Sequence, residues 1–169
     1  YVGGWHGSLI IAILKRYPQL HGLLVDLPHV VAGATEQLRA AGLVKRCQVV
    51  GGDFFTSVTA GADAYLMKKI IHDWDDDRAV TILRSCHQAM PVDGRLLLVE
   101  LVLPADNEAS FARLLDLLML VWSAGGKERT AAEHEALLAR AGFDLVSITP
   151  TASPVHVIEA QPQRRGDCA

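Results

Sequence analysis

The chain has few cysteines, few aromatic residues and no long hydrophobic run. Its three cysteines, Cys47, Cys86 and Cys168, are odd in number and lack CxxC spacing, which suits a reducing cytoplasm and predicts no metal site. The longest apolar segment, residues 114–122, is interrupted by Asp116 and is too short to cross a bilayer. No signal peptide is visible. We therefore expect a cytoplasmic protein with no membrane partner.

A basic patch is also missing. The formal net charge is −3 and no run of lysines or arginines occurs, which argues against a nucleic-acid partner. Of the 169 residues 50% are apolar, so the composition predicts one globular domain with a sizeable core. The first residues resemble the end of a buried strand, so we expect that a preceding segment is absent from this sequence.

Segments with helical spacing of apolar residues alternate with short apolar runs, and turn residues separate them. The pattern predicts helices over residues 7–17, 28–41, 75–90, 107–124 and 130–140. It predicts strands over residues 22–27, 47–50, 63–69, 95–103, 145–149 and 155–160, and a frayed polar tail over 161–169. This alternation indicates an α/β fold: a twisted, mostly parallel sheet with helices on both faces and an antiparallel last strand.

Polar residues follow several of the predicted strands. In open parallel sheets, ligands bind outside the carboxyl ends of the strands. Gly3, Gly4 and Gly7 form a strand-to-helix turn of the kind that approaches a nucleotide-like ligand. Asp26, about twenty residues further on, is placed either to bind ribose hydroxyls or to cap the next helix. Asp53, with Phe54 beside it, could contact an adenosine group or serve only as a turn acid.

His72 is the candidate general base. It stands just past the strand predicted over residues 63–69, and histidine exchanges a proton near neutral pH. Glu100 closes the next strand and Glu128 lies in the loop GGKERT; either carboxylate could accept the other ring N–H and fix the tautomer. In the same loop, Lys127 and Arg129 have the alternative of being simply solvated.

Several stretches together resemble the S-adenosylmethionine-dependent O-methyltransferases of the plant caffeate type and their bacterial hydroxyindole and antibiotic-tailoring relatives. They are VGG with GSL, VDLPHVV, VVGGDFF, DAYLMKKIIHDWDDD, LLLVELVLP and GGKERT, and they cover residues 1 to about 160 in the family's order. HDW and GGKERT together are specific, whereas a glycine turn alone is weak evidence.

The resemblance implies a Rossmann-like methyltransferase core over residues 1–160, a small aromatic hydroxyl compound as substrate and S-adenosylhomocysteine as product. It implies catalytic roles for His72, Glu100 and Glu128. It also implies that full-length members of the family form homodimers. We expect this sequence to lack the family's N-terminal dimerisation region and most of its first strand. The cofactor contacts that it implies are Gly3, Asp26, Leu27, Asp53, Phe54 and Lys68.

Two residues depart from the family's glycine motif. Tyr1 stands where the family has an acid, and Trp5 replaces a central glycine. An indole at this point should either clash with the cofactor or swing away, so we expect weak cofactor binding or none. A truncated or degenerate domain without turnover is therefore an alternative function. Two further alternatives are a nicotinamide-dependent oxidoreductase and a member of the same family that performs another reaction on an aromatic polyketide.

Overall fold

The alternation of strands and helices appears in the computed structural model, which describes residues 1–106 and 110–163. The strands in these residues are β1 (Gly22–Asp26), β2 (Cys47–Gly51), β3 (Ala64–Lys68), β4 (Arg95–Leu103), β5 (Arg129–Thr130), β6 (Phe143–Pro150) and β7 (Val155–Pro162). The α-helices are α1 (Ser8–Arg16), α2 (Pro28–Val31), α3 (Ala34–Ala40), α4 (Asp76–Ala89), α5 (Phe111–Trp122) and α6 (Ala131–Arg140). A single 3₁₀ turn, Ile71–Asp73, joins β3 to α4.

The first three residues of the chain link two parts of the sheet. β1 pairs with β2, while β3, β4, β7 and β6 form a separate ladder in that order. Val2 donates its N–H to Leu66 O of β3 at 2.8 Å, and Val25 N of β1 donates to Tyr1 O at 2.9 Å. Residues 1–3 therefore lie between β1 and β3, where they complete the order β2-β1-(1–3)-β3-β4-β7-β6.

Only the last strand of this sheet runs against the others. β1 with β2, and β3 with β4, pair in parallel, whereas β7 pairs antiparallel with both β4 and β6. Helices cover both faces. α4 and α6 pack in one apolar cluster with Leu96 and Leu98, and α1 and α3 pack in another with Leu24. The predicted α/β architecture is confirmed.

Several local predictions differ from the structure. The helix expected over residues 28–41 is two helices that meet near Gly33, where the extra backbone freedom of glycine weakens a helix interior. β5 and the 3₁₀ turn were not predicted. β6 begins two residues early, at Phe143, and β7 extends to Pro162, inside the segment expected to be frayed.

Two predictions fall partly on residues outside the described ranges. These are the helix start near residue 107 and the end of the tail, residues 164–169. Within the described part of the chain, none of the helices is both long enough and apolar enough to span a bilayer.

Candidate active site

A cleft of about 560 Å³ lies at the carboxyl edge of the central strands. Three of the predicted cofactor residues line it, Gly3, Asp26 and Lys68, together with Trp5 and Ile70. Leu27, Asp53 and Phe54 are not among its lining residues. A second cavity of about 600 Å³ lies between the opposite ends of β1 and β3 and contains none of the predicted site residues.

The glycine turn is held in a conformation that needs glycine at Gly3. Gly3 has φ 65°, and a Cβ atom built on it would lie 2.5 Å from Ile70 Cδ1. Trp5 also adopts a left-handed backbone, with φ 50°, but its indole is 68% exposed and stacks on His6 with ring centroids 5.3 Å apart. The indole is thus exposed to solvent, yet Trp5 is one of the residues that line the cleft.

Asp26 organises this turn. Its carboxylate accepts hydrogen bonds from the N–H of Trp5 at 2.8 Å and of Leu27 at 2.8 Å. It makes no side-chain cap of α2, so the helix-cap interpretation is wrong. Asp53 accepts the N–H of Phe55 at 2.9 Å, which is the contact of a turn acid.

His72 and Glu128 come together although 56 residues separate them. His72 Nδ1 lies 2.9 Å from Glu128 Oε1, with the imidazole half-buried and the carboxylate only 2% exposed. Glu100, 1% exposed, does not bond the ring: its Oε1 accepts the N–H groups of Ile70 at 3.1 Å and Ile71 at 3.0 Å. Glu128 thus holds the imidazole, and Glu100 holds the backbone that carries it.

The charges of this cluster shift the pKa values of its members. Burial alone would lower the pKa of His72, but the hydrogen bond to Glu128 and the charges of Glu100, Glu128 and Asp73 outweigh it and raise that pKa above 6.5. Burial also raises the pKa of Glu100 to about 7, against the opposing effect of His72 and the two N–H donors. The pKa of Asp73 is raised by burial as well.

The same three groups have the composition of a metal site. His72, Glu100 and Glu128 each offer one ligand atom, and these atoms lie within 4.8 Å of one another. Glu100 Oε1 accepts two N–H groups and Glu128 Oε1 contacts the imidazole, while the second oxygen of each carboxylate is buried with no hydrogen-bond partner in the described part of the chain. The Oε1 contacts make the cluster a hydrogen-bonded network, and the sequence prediction of no metal stays a prediction.

Arg129 is the site residue that sequence reasoning missed. The alternative in which it is simply solvated is wrong, because the side chain is 1% exposed and donates to Asp76 and to backbone carbonyls. Lys127, in contrast, is partly exposed and pairs with Asp76 at 3.2 Å. The three acids 75–77 opposite the loop were the available signal, but they were interpreted only as favourable to the dipole of α4.

The fold and the cleft at the strand ends define a Rossmann-like, class I methyltransferase core. Residues 1–144 match the sequence profile of a family described as an O-methyltransferase domain, and the chain belongs to that family. The resemblance drawn from the motifs is confirmed, and this membership argues against the nicotinamide alternative.

Two curated relatives illustrate the range of the family. The chain is 48% identical over 161 residues to the phenazine O-methyltransferase PhzM of Lysobacter antibioticus, covering 95% of this chain and 47% of that protein. It is 40% identical over 162 residues to caffeic acid 3-O-methyltransferase 2 of Populus tremuloides, covering 94% and 42%. The chain spans about half the length of the curated relatives it matches.

Solved structures agree with this placement. The crystal structure of LaPhzM superposes with a TM-score of 0.90 at 48% identity, covering 95% of this chain and 48% of that one. NcsB1 from neocarzinostatin biosynthesis, in complex with S-adenosylmethionine and 2-hydroxy-5-methyl naphthoic acid, has a TM-score of 0.86 at 38% identity, covering 95% and 47%.

Proposed function

We propose that the protein transfers a methyl group from S-adenosylmethionine to a hydroxyl group of a small aromatic molecule, with His72 as general base. The observation that carries the proposal is the 2.9 Å contact between His72 Nδ1 and Glu128 Oε1. His72 follows two residues after Ile70, which lines the cleft. Two of the relatives described above are named for O-methylation of aromatic compounds, and NcsB1 holds a naphthoic acid.

The contact with Glu128 determines which nitrogen of His72 acts. An ionised carboxylate only accepts hydrogen bonds, so Nδ1 carries the proton and Nε2 is left as the acceptor. A free phenol has a pKa near ~10, so a base that takes its proton assists attack at neutral pH. Such assistance typically contributes about 10²–10⁴ in rate. Glu128 also stabilises the imidazolium once it forms.

Glu100 acts on the backbone just before His72 and not on the imidazole. By binding the N–H groups of Ile70 and Ile71 it fixes the start of the 3₁₀ turn, and with it the direction of the imidazole. In this proposal Glu100 is a positioning residue, whereas His72 meets the substrate.

The cleft fits the proposed cofactor. Its volume of about 560 Å³ suits a nucleoside-sized ligand, and Asp26 stands at its edge with a carboxylate for hydroxyl groups. Gly3, Asp26 and Lys68 would hold the cofactor from the cleft wall, and Leu27, Asp53 and Phe54 from beside it. When bound, S-adenosylmethionine supplies an electrophilic methyl group, and alignment with the attacking oxygen is the chain's remaining contribution.

A domain that does not turn over is the second candidate function. It is favoured by Tyr1 in place of an acid and by the strained backbone of Trp5 at the turn. We further propose a cytoplasmic location, homodimer formation, a small-molecule substrate and no nucleic-acid partner.

The test is a His72→Ala variant beside a His21→Ala control, since His21 is exposed and is not among the residues that line the cleft. Formation of S-adenosylhomocysteine is followed by mass spectrometry with phenolic and naphthoic acceptors, and cofactor affinity is measured by calorimetry. We expect His72→Ala to lose about 10²–10⁴ in turnover with cofactor affinity unchanged. An equal loss in affinity would make His72 structural, and absence of both binding and turnover in the wild type would favour the second candidate.

A further inference from the structure

The Arg129 side chain joins two segments that meet at the candidate base. One segment is the 3₁₀ turn with its flanks: Arg129 donates to Ile71 O at 3.0 Å and to Trp74 O at 2.8 Å, the carbonyls on either side of His72 in the chain. The other is its own loop, where Arg129 directly follows Glu128 and donates to Lys127 O at 3.4 Å. The guanidinium therefore links the backbone around His72 to the backbone around Glu128.

A carboxylate completes the arrangement. Asp76 Oδ1, in the first turn of α4, accepts from Arg129 Nε at 3.0 Å and from Nη2 at 2.8 Å. The Arg129 side chain is only 1% exposed. Its charge is paired with Asp76 and its N–H groups are hydrogen-bonded, and a buried cation destabilises a protein unless both conditions are met. The planar fork of arginine is needed because one carboxylate oxygen and several carbonyls in different directions are bound at once, which a lysine ammonium cannot reproduce.

A further contact brings the two segments close. Lys127 N donates to His72 O at 2.9 Å, and a Cβ atom at Gly126 would lie 2.5 Å from the same oxygen. The loop thus lies against the backbone of His72 itself. Because Glu128 follows directly, a small displacement of this loop changes the distance between Nδ1 and Oε1.

We infer that Arg129 is a positioning residue that clamps the 3₁₀ turn to the GGKERT loop and so sets the His72–Glu128 hydrogen bond. This inference rests on the proposed function for its catalytic consequence, but the geometry that it claims is measurable without turnover. The competing explanation is that Arg129 only stabilises the fold, in which case its loss lowers stability and leaves the titration of His72 unchanged.

The test compares Arg129→Lys with Arg140→Lys. Both variants keep the positive charge. Each weakens an ion pair with an aspartate in the first turn of α4: Arg129, just before α6, pairs with Asp76, and Arg140, within α6, pairs with Asp77. Arg140 Nη2 pairs with Asp77 Oδ1 at 2.6 Å on the exposed side, away from His72. The first readout is the titration of the His72 imidazole followed by NMR in the wild type and both variants, assigned with His72→Ala.

We expect Arg129→Lys to lower the pKa of His72 by roughly 1 unit, because the loosened Glu128 no longer favours the charged ring. Arg140→Lys should leave it unchanged. In the active enzyme, the acidic limb of the pH–rate profile should move to lower pH by the same amount, with kcat reduced and the KM for the cofactor retained. A folded Arg129→Lys variant whose His72 titrates as in the wild type would overturn the inference.

A second variant serves if Arg129→Lys does not fold. Asp76→Asn weakens the carboxylate half of the clamp and leaves the carbonyl contacts of Arg129 in place, so a smaller shift of the His72 titration in the same direction is expected. An unchanged titration in this folded variant also overturns the inference. If His72→Ala retains full turnover, the proposed function fails, while the NMR titrations still decide whether the clamp exists.

Discussion

Three carboxylates act on His72, and each does so differently. Glu128 contacts the ring, Glu100 binds the preceding backbone, and Asp73 Oδ1 lies 3.5 Å from Nε2. Two of the acids are buried, so their charges are poorly screened and their effect on the imidazole is large. The raised pKa of His72 is therefore a property of the cluster rather than of any single pair.

Glu100→Gln tests the cost of the buried charge at this site. Burial raises the pKa of Glu100 from 4.5 in the unfolded chain to about 7 in the folded one. The folded state then holds an extra proton between these values, so Glu100 makes the protein less stable as pH rises from about 5 to 8. Glutamine keeps the oxygen that binds the two N–H groups and carries no charge. Glu100→Gln should therefore gain stability relative to the wild type, on the order of a few kcal/mol, between pH 5 and pH 8.

Urea unfolding at the two pH values measures this difference. The control is Glu135→Gln, which removes a charge from an exposed position of α6. If the stability difference between Glu100→Gln and the wild type does not change with pH, the buried carboxylate is not the titrating group.

Trp5→Gly should stabilise the chain. A left-handed backbone costs a residue with a side chain roughly 1–2 kcal/mol, and the exposed indole loses little burial when it is removed. The greater freedom of glycine in the unfolded chain offsets part of the gain, so we expect about 0.5–1 kcal/mol by urea unfolding. Trp5→Ala is the matched control because alanine keeps the strain; a glycine variant no more stable than the alanine variant would contradict the argument.

At the scale of elements, α6 shows how a sequence motif becomes structure. Thr130 Oγ1 accepts the N–H of Glu133 at 3.3 Å, and Glu133 Oε2 accepts the N–H of Thr130 at 2.8 Å, which is a reciprocal capping box. The box also starts the helix directly after Glu128 and Arg129. Local capping therefore fixes where the loop that carries the site ends.

Thr130→Ala should cost about 1 kcal/mol at pH 7. The backbone N–H of Thr130, which alanine keeps, is the largest cause that lowers the pKa of Glu133 below 4.5 in the folded state; the Thr130 hydroxyl, which donates to Glu133 Oε2 at 2.9 Å and is lost in alanine, lowers it further. An acid with a lowered folded pKa contributes stability above its unfolded pKa and loses it as pH falls through the folded value. The cost of the substitution should thus shrink below pH 4.5. Thr35→Ala, at an exposed position of α3, controls for helix propensity; a pH-independent cost would mean that Glu133 plays no part.

At the scale of the whole molecule, α5 presents an unusual apolar surface. Its buried side holds Ala112 and Met119, while the exposed side holds Leu114 and Leu117 at 63%, Leu120 at 72%, Val121 at 87% and Trp122 at 78%. Patches of this kind on otherwise compact chains mark surfaces that associate. This surface supports the proposed homodimer.

We expect the chain to associate at high concentration and Val121→Glu to reduce that association, as measured by sedimentation velocity. Val92→Glu is the control, because Val92 is 73% exposed but lies in the turn after α4. Equal sedimentation of both variants and the wild type would exclude α5 as the associating surface.

The alternation of elements and the carboxyl edge of the sheet were predictable because apolar periodicity is local. A run such as Leu23–Leu24–Val25 between turn residues is a buried strand whatever its neighbours are, and an acid after it lies at the edge. The position of His72 just beyond β3 followed from the same rule, whereas Glu100 lies within β4, three residues before its end. The motifs likewise indicated the family, since they are contiguous stretches of sequence.

Contacts between distant residues could not be predicted in this way. Glu100 and Glu128 were equivalent partners for His72 on spacing, and only the path of the GGKERT loop across His72 O places Glu128 on the ring. The burial of Arg129 depends on Asp76 and two carbonyls that converge from another part of the chain. The sequence by itself determined the elements, their order and the edge that holds the site; the tertiary structure decided which charges meet there, because a hydrogen bond between groups 56 residues apart depends on how whole elements pack.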